Sequence, residues 1–196
     1  MSNKKRFSAY KYKSIRDLSH CLDIINNRRL YCARWQDLND PMEGTFRAIE
    51  QANYEEAIQQ RVNLILAEKP KYRICALSRE PRNQAMLSYY CDNHRGAIFE
   101  IELTESESIF DVGYVAEYPE LDVLQGRVKD IAQRIFTYKQ ADWSHEREVR
   151  IIFEKEFYHF QINVKSVRFG SQVDTAQAKP IVDACAEHQI AVHWGH

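Results

Sequence analysis

The sequence has few glycines, no long apolar run and no closely spaced pair of cysteines. Its 196 residues include 6 glycines and 5 prolines, and no Pro/Gly/Ser-rich linker divides them. No apolar stretch approaches the ~20 residues that a membrane-spanning helix needs. The segment MSNKKRFSAYKYKS at the start lacks the apolar core of a secretory signal peptide. We therefore expect a cytoplasmic protein without a membrane partner, organised as one domain over residues 1–196.

The cysteines give no sign of a disulfide framework or a zinc site. There are 5 of them, at positions 21, 32, 75, 91 and 185, and no two have Cys-x-x-Cys spacing. An odd number at irregular spacing is typical of reduced thiols in a cytosolic protein. The dipeptide His145-Glu146 lacks the second His of a zincin motif, because Val149 stands at that place. No metal cofactor is expected.

Several common nucleotide and catalytic motifs are also absent. The chain has no Gly-x-Gly-x-x-Gly, no Walker loop and no Gly-x-Ser-x-Gly elbow, which disfavours a Rossmann site, a P-loop site and an α/β-hydrolase. The net charge is -1, so no bulk attraction draws the protein to nucleic acid. Any nucleotide site must come from local groups.

Hydrophobic patterns predict a mixture of helices and strands without a regular βαβ rhythm. Ile15, Leu18, Leu22 and Ile25 form one helical stripe, whereas the segment 97–103 alternates apolar and polar residues as a half-buried strand does. The longest runs of strand carry little helix between them. This pattern predicts an α+β fold, a single domain in which helices flank a mixed, mostly antiparallel sheet.

The segment DWSHEREVRIIF, residues 142–153, crowds charged side chains against an apolar run. As a strand it would place Glu146, Glu148 and Arg150 on one face, with the carboxylates ~7 Å apart. Such carboxylates raise each other's pKa unless a cation lies between them. The segment is either an acidic pair at a cleft or a solvated strand end with a ladder of salt bridges.

Aromatic and polar residues elsewhere allow two interpretations. Tyr12, in YKYKS, either stacks on a flat ring while a neighbouring lysine meets phosphate, or covers the edge of the core. Tyr90 lies on a short predicted helix and points either into the core or into a cleft. Asn39 and Asp40 precede Pro41 and are expected to form a turn.

Several of these stretches together resemble the signatures of the bacterial family defined as domain of unknown function 2971. They are YKYKS, RLYCARWQDLNDPMEG, CALS, MLSYYCDNHRGAIFEIE, DWSHEREVRIIF and VRFG. The resemblance covers nearly the whole chain but implies no activity, because the family is defined by sequence. It does imply a shared set of polar and special positions: Tyr12, Ser14, Asn39, Asp40, Ser78, Tyr90, Gly96, Trp143, Glu146, Glu148 and Arg150.

More remotely, the chain resembles ADP-ribosyltransferases. Those enzymes carry an Arg on an early strand, a Ser on a middle strand and a late Glu-x-Glu, and Arg34, Ser78 and Glu146-x-Glu148 occur here in that order. The resemblance implies an NAD-consuming enzyme that cleaves the bond between nicotinamide and ribose, and phage defence or a toxin system is the role expected for it. NAD would be the substrate.

The same resemblance implies a role for each residue. Glu148 would hold the ribose 2′-hydroxyl and stabilise positive charge, and Glu146 would accept a proton. Arg34 would bind pyrophosphate and Ser78 would orient the ribose or the amide. Tyr12 or Tyr90 would stack on nicotinamide. Ser14, Asn39, Asp40, Trp143 and Arg150 are the further residues predicted to bind the substrate.

A second hypothesis is a nucleic-acid-directed module. The tyrosines and basic residues of 10–34 would form a stacking and phosphate surface. Asp40, Glu146 and Glu148 would then hold Mg²⁺ for phosphodiester cleavage, or the module would bind without turnover. A structural domain that only binds a partner is the third alternative.

Overall fold

The computed structural model describes residues 5–40, 42–159 and 164–195. Pro41, in the predicted Asn-Asp-Pro turn, lies outside the described residues. Within them the strands are β1 Arg6–Ser14, β2 Arg29–Tyr31, β3 Ala33–Arg34, β4 Arg47–Ala48, β5 Arg73–Ser78, β6 Gly96–Thr104, β7 Ile109–Asp111, β8 Gly113–Val115, β9 Glu120–Leu121, β10 Tyr138–Gln140, β11 Glu148–Phe153, β12 Phe157–His159, β13 Val164–Phe169 and β14 Ala191–Trp194. The α-helices are α1 Leu18–Asn26, α2 Glu55–Glu68, α3 Gln84–Tyr90, α4 Val128–Arg134 and α5 Thr175–Glu187.

One main sheet of 8 strands organises the fold. Its order is β14-β13-β6-β1-β5-β11-β7, and β3 also pairs with β5. Neighbours in this sheet run antiparallel except β13 and β14, which run parallel. The predicted α+β fold, with helices flanking a mixed and mostly antiparallel sheet, is confirmed.

Strand alternation sends apolar residues to both faces of this sheet. On β11, Val149 and Ile151 join the cluster that includes residues of α1 and α5, and Ile152 joins the cluster that includes residues of α2 and α4. A third, smaller cluster packs residues of α3 against Tyr12. Because helices cover both faces, a polar residue on a central strand is buried unless a cavity reaches it.

The sheet is split beside β5. Strand β1 pairs with β6 along its whole length, but its register with β5 is Tyr10 opposite Ser78. At the other end of β5, Ala33 of β3 lies opposite Ile74. Between these points the Lys11 Nζ donates to the Ala76 carbonyl at 2.8 Å. A side chain therefore spans the gap that backbone hydrogen bonds would otherwise close.

None of the helices in the described ranges is both long enough and apolar enough to cross a lipid bilayer.

Candidate functional site

A cavity of about 280 Å³ opens at the split between β1 and β5. Its closed end is lined by buried polar side chains: Asp40, Glu43, Lys139, Glu146, Glu148 and Arg150. Its outer part is lined by half-buried Lys13 and His20 and by exposed Asp37 and Asn39. The aromatic rings of Tyr10, Tyr12, Tyr31 and Tyr90 also line it. The cavity therefore runs from a solvent-facing mouth to a buried ionic floor.

The predicted strand over 142–153 is wrong in its first half. Residues Ala141–Glu146 form a 3₁₀ helix, Arg147 adopts a left-handed conformation with φ 44°, and the strand begins at Glu148. Glu146 and Glu148 thus do not share a strand face. They meet because the turn at Arg147 brings the end of the 3₁₀ helix back over the start of β11.

Lys139 joins the two carboxylates. Its Nζ donates to Glu146 Oε2 at 2.6 Å and to Glu148 Oε2 at 3.3 Å, and it lies 4.6 Å from the ring centre of Trp143. The other oxygen of Glu146 accepts from the Tyr90 hydroxyl at 2.6 Å. Glu146 is 2% exposed and Glu148 4%, so the interpretation as a solvated ladder of salt bridges is wrong.

Arg150 is shared between two carboxylates. Its Nε and Nη2 donate to the oxygens of Glu148 at 2.8 and 3.0 Å, while Nη1 and Nη2 donate to those of Glu43. Nη1 also donates to the Phe136 carbonyl at 2.7 Å. Arg150 is 1% exposed, so every one of these contacts is made out of water.

The two carboxylates that share Arg150 differ in their pKa. Burial raises the pKa of Glu148, but Arg150 and Lys139 together outweigh it and hold that pKa below its ordinary value. Burial, with a contribution from the Glu148 charge, also raises the pKa of Glu43, and Arg150 and Lys139 do not offset it. Glu148 is therefore a stably ionised group, whereas Glu43 takes up a proton more readily.

The tyrosines beside this network stay protonated. Burial, and to a smaller extent the hydrogen bond to Glu146, raises the pKa of Tyr90 well above its usual range. Burial raises the pKa of Tyr12 to about 12. The Tyr12 hydroxyl donates to the Glu80 carbonyl and accepts from the Asn83 N–H, each at 2.9 Å. Tyr12 thus offers the cavity its ring, and Tyr90 offers a hydroxyl that is anchored on Glu146.

The structure brings together seven of the residues predicted for the site. The predicted residues that line the cavity are Tyr12, Asn39, Asp40, Tyr90, Glu146, Glu148 and Arg150. Asp40 has the predicted turn-forming contact as well, since its Oδ1 accepts from the Met42 N–H at 2.9 Å.

Four other predicted residues lie outside the lining of the cavity. The buried Ser78 hydroxyl donates to the Glu146 carbonyl at 2.6 Å and accepts from the Glu80 N–H at 2.8 Å, so it fixes the backbone beside Glu146. Arg34 is exposed on β3, and the Ser14 hydroxyl accepts from the Arg16 N–H at 3.3 Å. The ring of Trp143 lies against the Lys139 ammonium but does not line the cavity. Arg34 and Ser78 likewise do not line the cavity.

Sequence reasoning missed Glu43 and Lys139. Glu43 lies in the stretch NDPMEG, which the family resemblance had already indicated. It directly precedes Gly44, whose φ of +67° is a conformation that favours glycine. Lys139 belongs to the short strand β10, which pairs parallel with β8, and nothing in its local pattern distinguishes it from a surface lysine. Only its burial, with 8% of its surface exposed, reveals its role.

Across the ranges that the structure describes, no three or more His, Cys, Asp or Glu residues are grouped so as to hold a metal ion. Comparisons of the chain with protein-family models, with curated proteins and with solved structures gave no match. The resemblances to the bacterial family and to ADP-ribosyltransferases stay predictions.

Proposed function

We propose that the protein cleaves the bond between nicotinamide and ribose in NAD⁺, with Glu146 and Glu148 as the catalytic groups. The observation that carries the proposal is that both buried carboxylates line one cavity, bridged by Lys139 and surrounded by tyrosine rings. Cleavage of this bond builds positive charge on the ribose, as glycoside hydrolysis does. Fixed carboxylates beside the ribose would stabilise that charge in a site shielded from water.

The charge balance at the floor of the cavity supports a cationic substrate group. Four carboxylates, those of Asp40, Glu43, Glu146 and Glu148, face two cations, Lys139 and Arg150. With Glu43 protonated, the groups that line the floor still have an excess of one negative charge, three carboxylates against two cations; Lys69, a further buried cation that donates to the Gly44 carbonyl, does not line the cavity. Because the floor is buried, this excess attracts a positively charged ring more strongly than it would in water. The nicotinamide ring of NAD⁺ carries such a charge.

The two glutamates differ in the hydrogen bonds that they still can accept. A carboxylate offers about four lone-pair sites. Glu148 accepts two bonds from Arg150 and one from Lys139, whereas Glu146 accepts one from Lys139 and one from Tyr90. Glu146 therefore has room for the ribose 2′-hydroxyl or for an attacking water, from which it would take a proton. Glu148 would act as the fixed negative charge.

A metal-dependent phosphodiesterase is less well supported. Such a site needs carboxylate oxygens that are free to bind Mg²⁺. Lys139 and Arg150 already occupy oxygens of Glu146 and Glu148 at 2.6 to 3.3 Å. A cation at that place would repel the metal, so we do not propose this activity.

Nicotinamide release tests the proposal. The purified protein would be incubated with NAD⁺ in the presence of EDTA, and free nicotinamide would be measured by chromatography. We expect release by the wild type and at least a roughly hundredfold loss in Glu146→Gln. Glu187→Gln is the matched control, because Glu187 is exposed at the end of α5. Circular dichroism would establish that both variants are folded.

Parallel incubations separate this activity from the alternatives. RNA and DNA, each with and without Mg²⁺, would be tested with the same preparations. The proposal is wrong if the wild type releases no nicotinamide, or if Glu146→Gln matches Glu187→Gln. Cleavage of nucleic acid that EDTA abolishes would identify a nuclease, and nucleotide binding without turnover would identify a binding protein.

A further inference from the structure

Two lysines from the same strand line the cavity. Lys11 and Lys13 of β1 both line it and are both half-buried. Lys11 Nζ is held at 2.8 Å by the Ala76 carbonyl, and Lys13 Nζ is held at 2.7 Å by Asp17 Oδ2. Since each ammonium group is already positioned by one partner, little side-chain entropy would be lost when it binds an anion.

These ammonium groups retain donors for a ligand. An ammonium has three N–H groups, and the contacts above use one on each lysine. The Asp17 oxygen that accepts from Lys13 also lies 2.7 Å from His20 Nδ1. The His20 ring in turn stacks on Tyr31, with the ring centres 4.6 Å apart. The mouth is thus ordered, and its ammonium groups lie in a lining that also includes the carboxylate of Asp37.

The size of the cavity limits what it can hold. At about 280 Å³ it lies just below the ~300–1,000 Å³ that is typical of pockets for drug-sized ligands. A whole dinucleotide is too large for it. A ligand with a cationic ring, a ribose and one phosphate matches the volume and the placement of the groups, with carboxylates at the floor and two ammonium groups elsewhere in the lining.

We propose that Lys11 and Lys13 bind the phosphate next to the ribose, so that the cavity takes up only the nicotinamide mononucleotide half of NAD⁺. This inference rests on the proposed function. The ring would lie at the floor near Glu146, the phosphate would meet the two lysines, and the adenylate half would remain outside. Free nicotinamide mononucleotide would then occupy the same site.

Calorimetric titration at low temperature tests this assignment. The wild type would be titrated with nicotinamide mononucleotide, nicotinamide riboside and NAD⁺, and nicotinamide release would be followed in the same samples. We expect the mononucleotide to bind at least about tenfold more tightly than the riboside, because only the mononucleotide makes charge-assisted bonds to the lysines. NAD⁺ should bind within about tenfold of the mononucleotide, since its second half makes few contacts.

Charge-removing variants locate the phosphate. Lys11→Gln and Lys13→Gln should each reduce the preference for the mononucleotide over the riboside. Lys179→Gln, which removes an exposed lysine of α5, should leave that preference unchanged. The inference is overturned if the wild type binds the mononucleotide and the riboside equally, if neither binds, or if all three variants behave alike. A phosphate preference without nicotinamide release would support this inference and contradict the proposed cleavage.

Discussion

Arg150 and Glu43 are 107 positions apart in the chain, yet Nη2 of Arg150 donates to Oε2 of Glu43 at 2.9 Å. The same guanidinium is bound to Glu148 on its other side. The floor of the cavity therefore depends on one cation that two distant carboxylates share. Removal of either partner from such a buried pair leaves an uncompensated charge.

Loss of the Arg150 charge should destabilise the fold strongly. We expect Arg150→Met to lower the free energy of unfolding by about 3–5 kcal/mol, because Glu43 and Glu148 lose the same partner. Urea denaturation measures the change. Arg127→Met is the control, since Arg127 pairs with Asp130 on the surface and should change stability by no more than about 0.5 kcal/mol. Equal effects of the two variants would show that the buried network contributes little.

The two carboxylates that share Arg150 should titrate on opposite sides of their ordinary pKa of 4.5. Glu148 has a lowered pKa in the fold, so its contribution to stability is complete above pH 4.5 and is lost as the pH falls through its folded pKa. Glu43 has a raised pKa, so its contribution is complete below pH 4.5 and is lost as the pH rises through its folded pKa. Carbon-13 NMR of the side-chain carboxyl groups measures both midpoints. A lower midpoint for Glu43 than for Glu148 would contradict the assignment.

The Tyr90 hydroxyl should matter both for stability and for the proposed activity. Tyr90→Phe removes the 2.6 Å bond to Glu146, and we expect unfolding to become easier by about 1–3 kcal/mol. Nicotinamide release should also fall, because Glu146 would no longer be held in place. Tyr89→Phe is the matched control, since Tyr89 is 66% exposed. If both variants retained full activity, Tyr90 would have no positioning role.

The left-handed Arg147 should tolerate glycine better than a branched residue. Its φ of 44° is a conformation that costs roughly 1–2 kcal/mol for residues with a Cβ. We expect Arg147→Gly to be neutral or slightly stabilising, and Arg147→Val to be destabilising by about 1–2 kcal/mol relative to the glycine variant. Thermal or urea unfolding of both variants measures this difference. Equal stability would mean that the turn is unstrained.

The apolar pattern of the sequence determined the fold class and much of the site. Alternation along the strands and the stripe on the first helix predict buried elements through local periodicity, which does not depend on distant contacts. The crowding of Glu146, Glu148 and Arg150 beside an apolar run left two interpretations open, an acidic pair at a cleft or a solvated strand end, and the burial of these residues decides between them. Seven of the predicted residues do line one cavity.

Only the tertiary structure decided how those residues meet. Strand β1 pairs with β5 at Tyr10 and Ser78, and the sheet is split beyond that point. The left-handed Arg147 ends a 3₁₀ helix that replaces the first half of the predicted strand. Glu43 enters the network from the NDPMEG stretch, and Lys139 enters it from a segment that carries no local signal for such a role. Arg34 and Ser78 have the expected order along the chain but lie outside the cavity lining. Sequence order fixes which residue types are available, whereas strand pairing sets their distances and burial, and these determine their charge and chemistry.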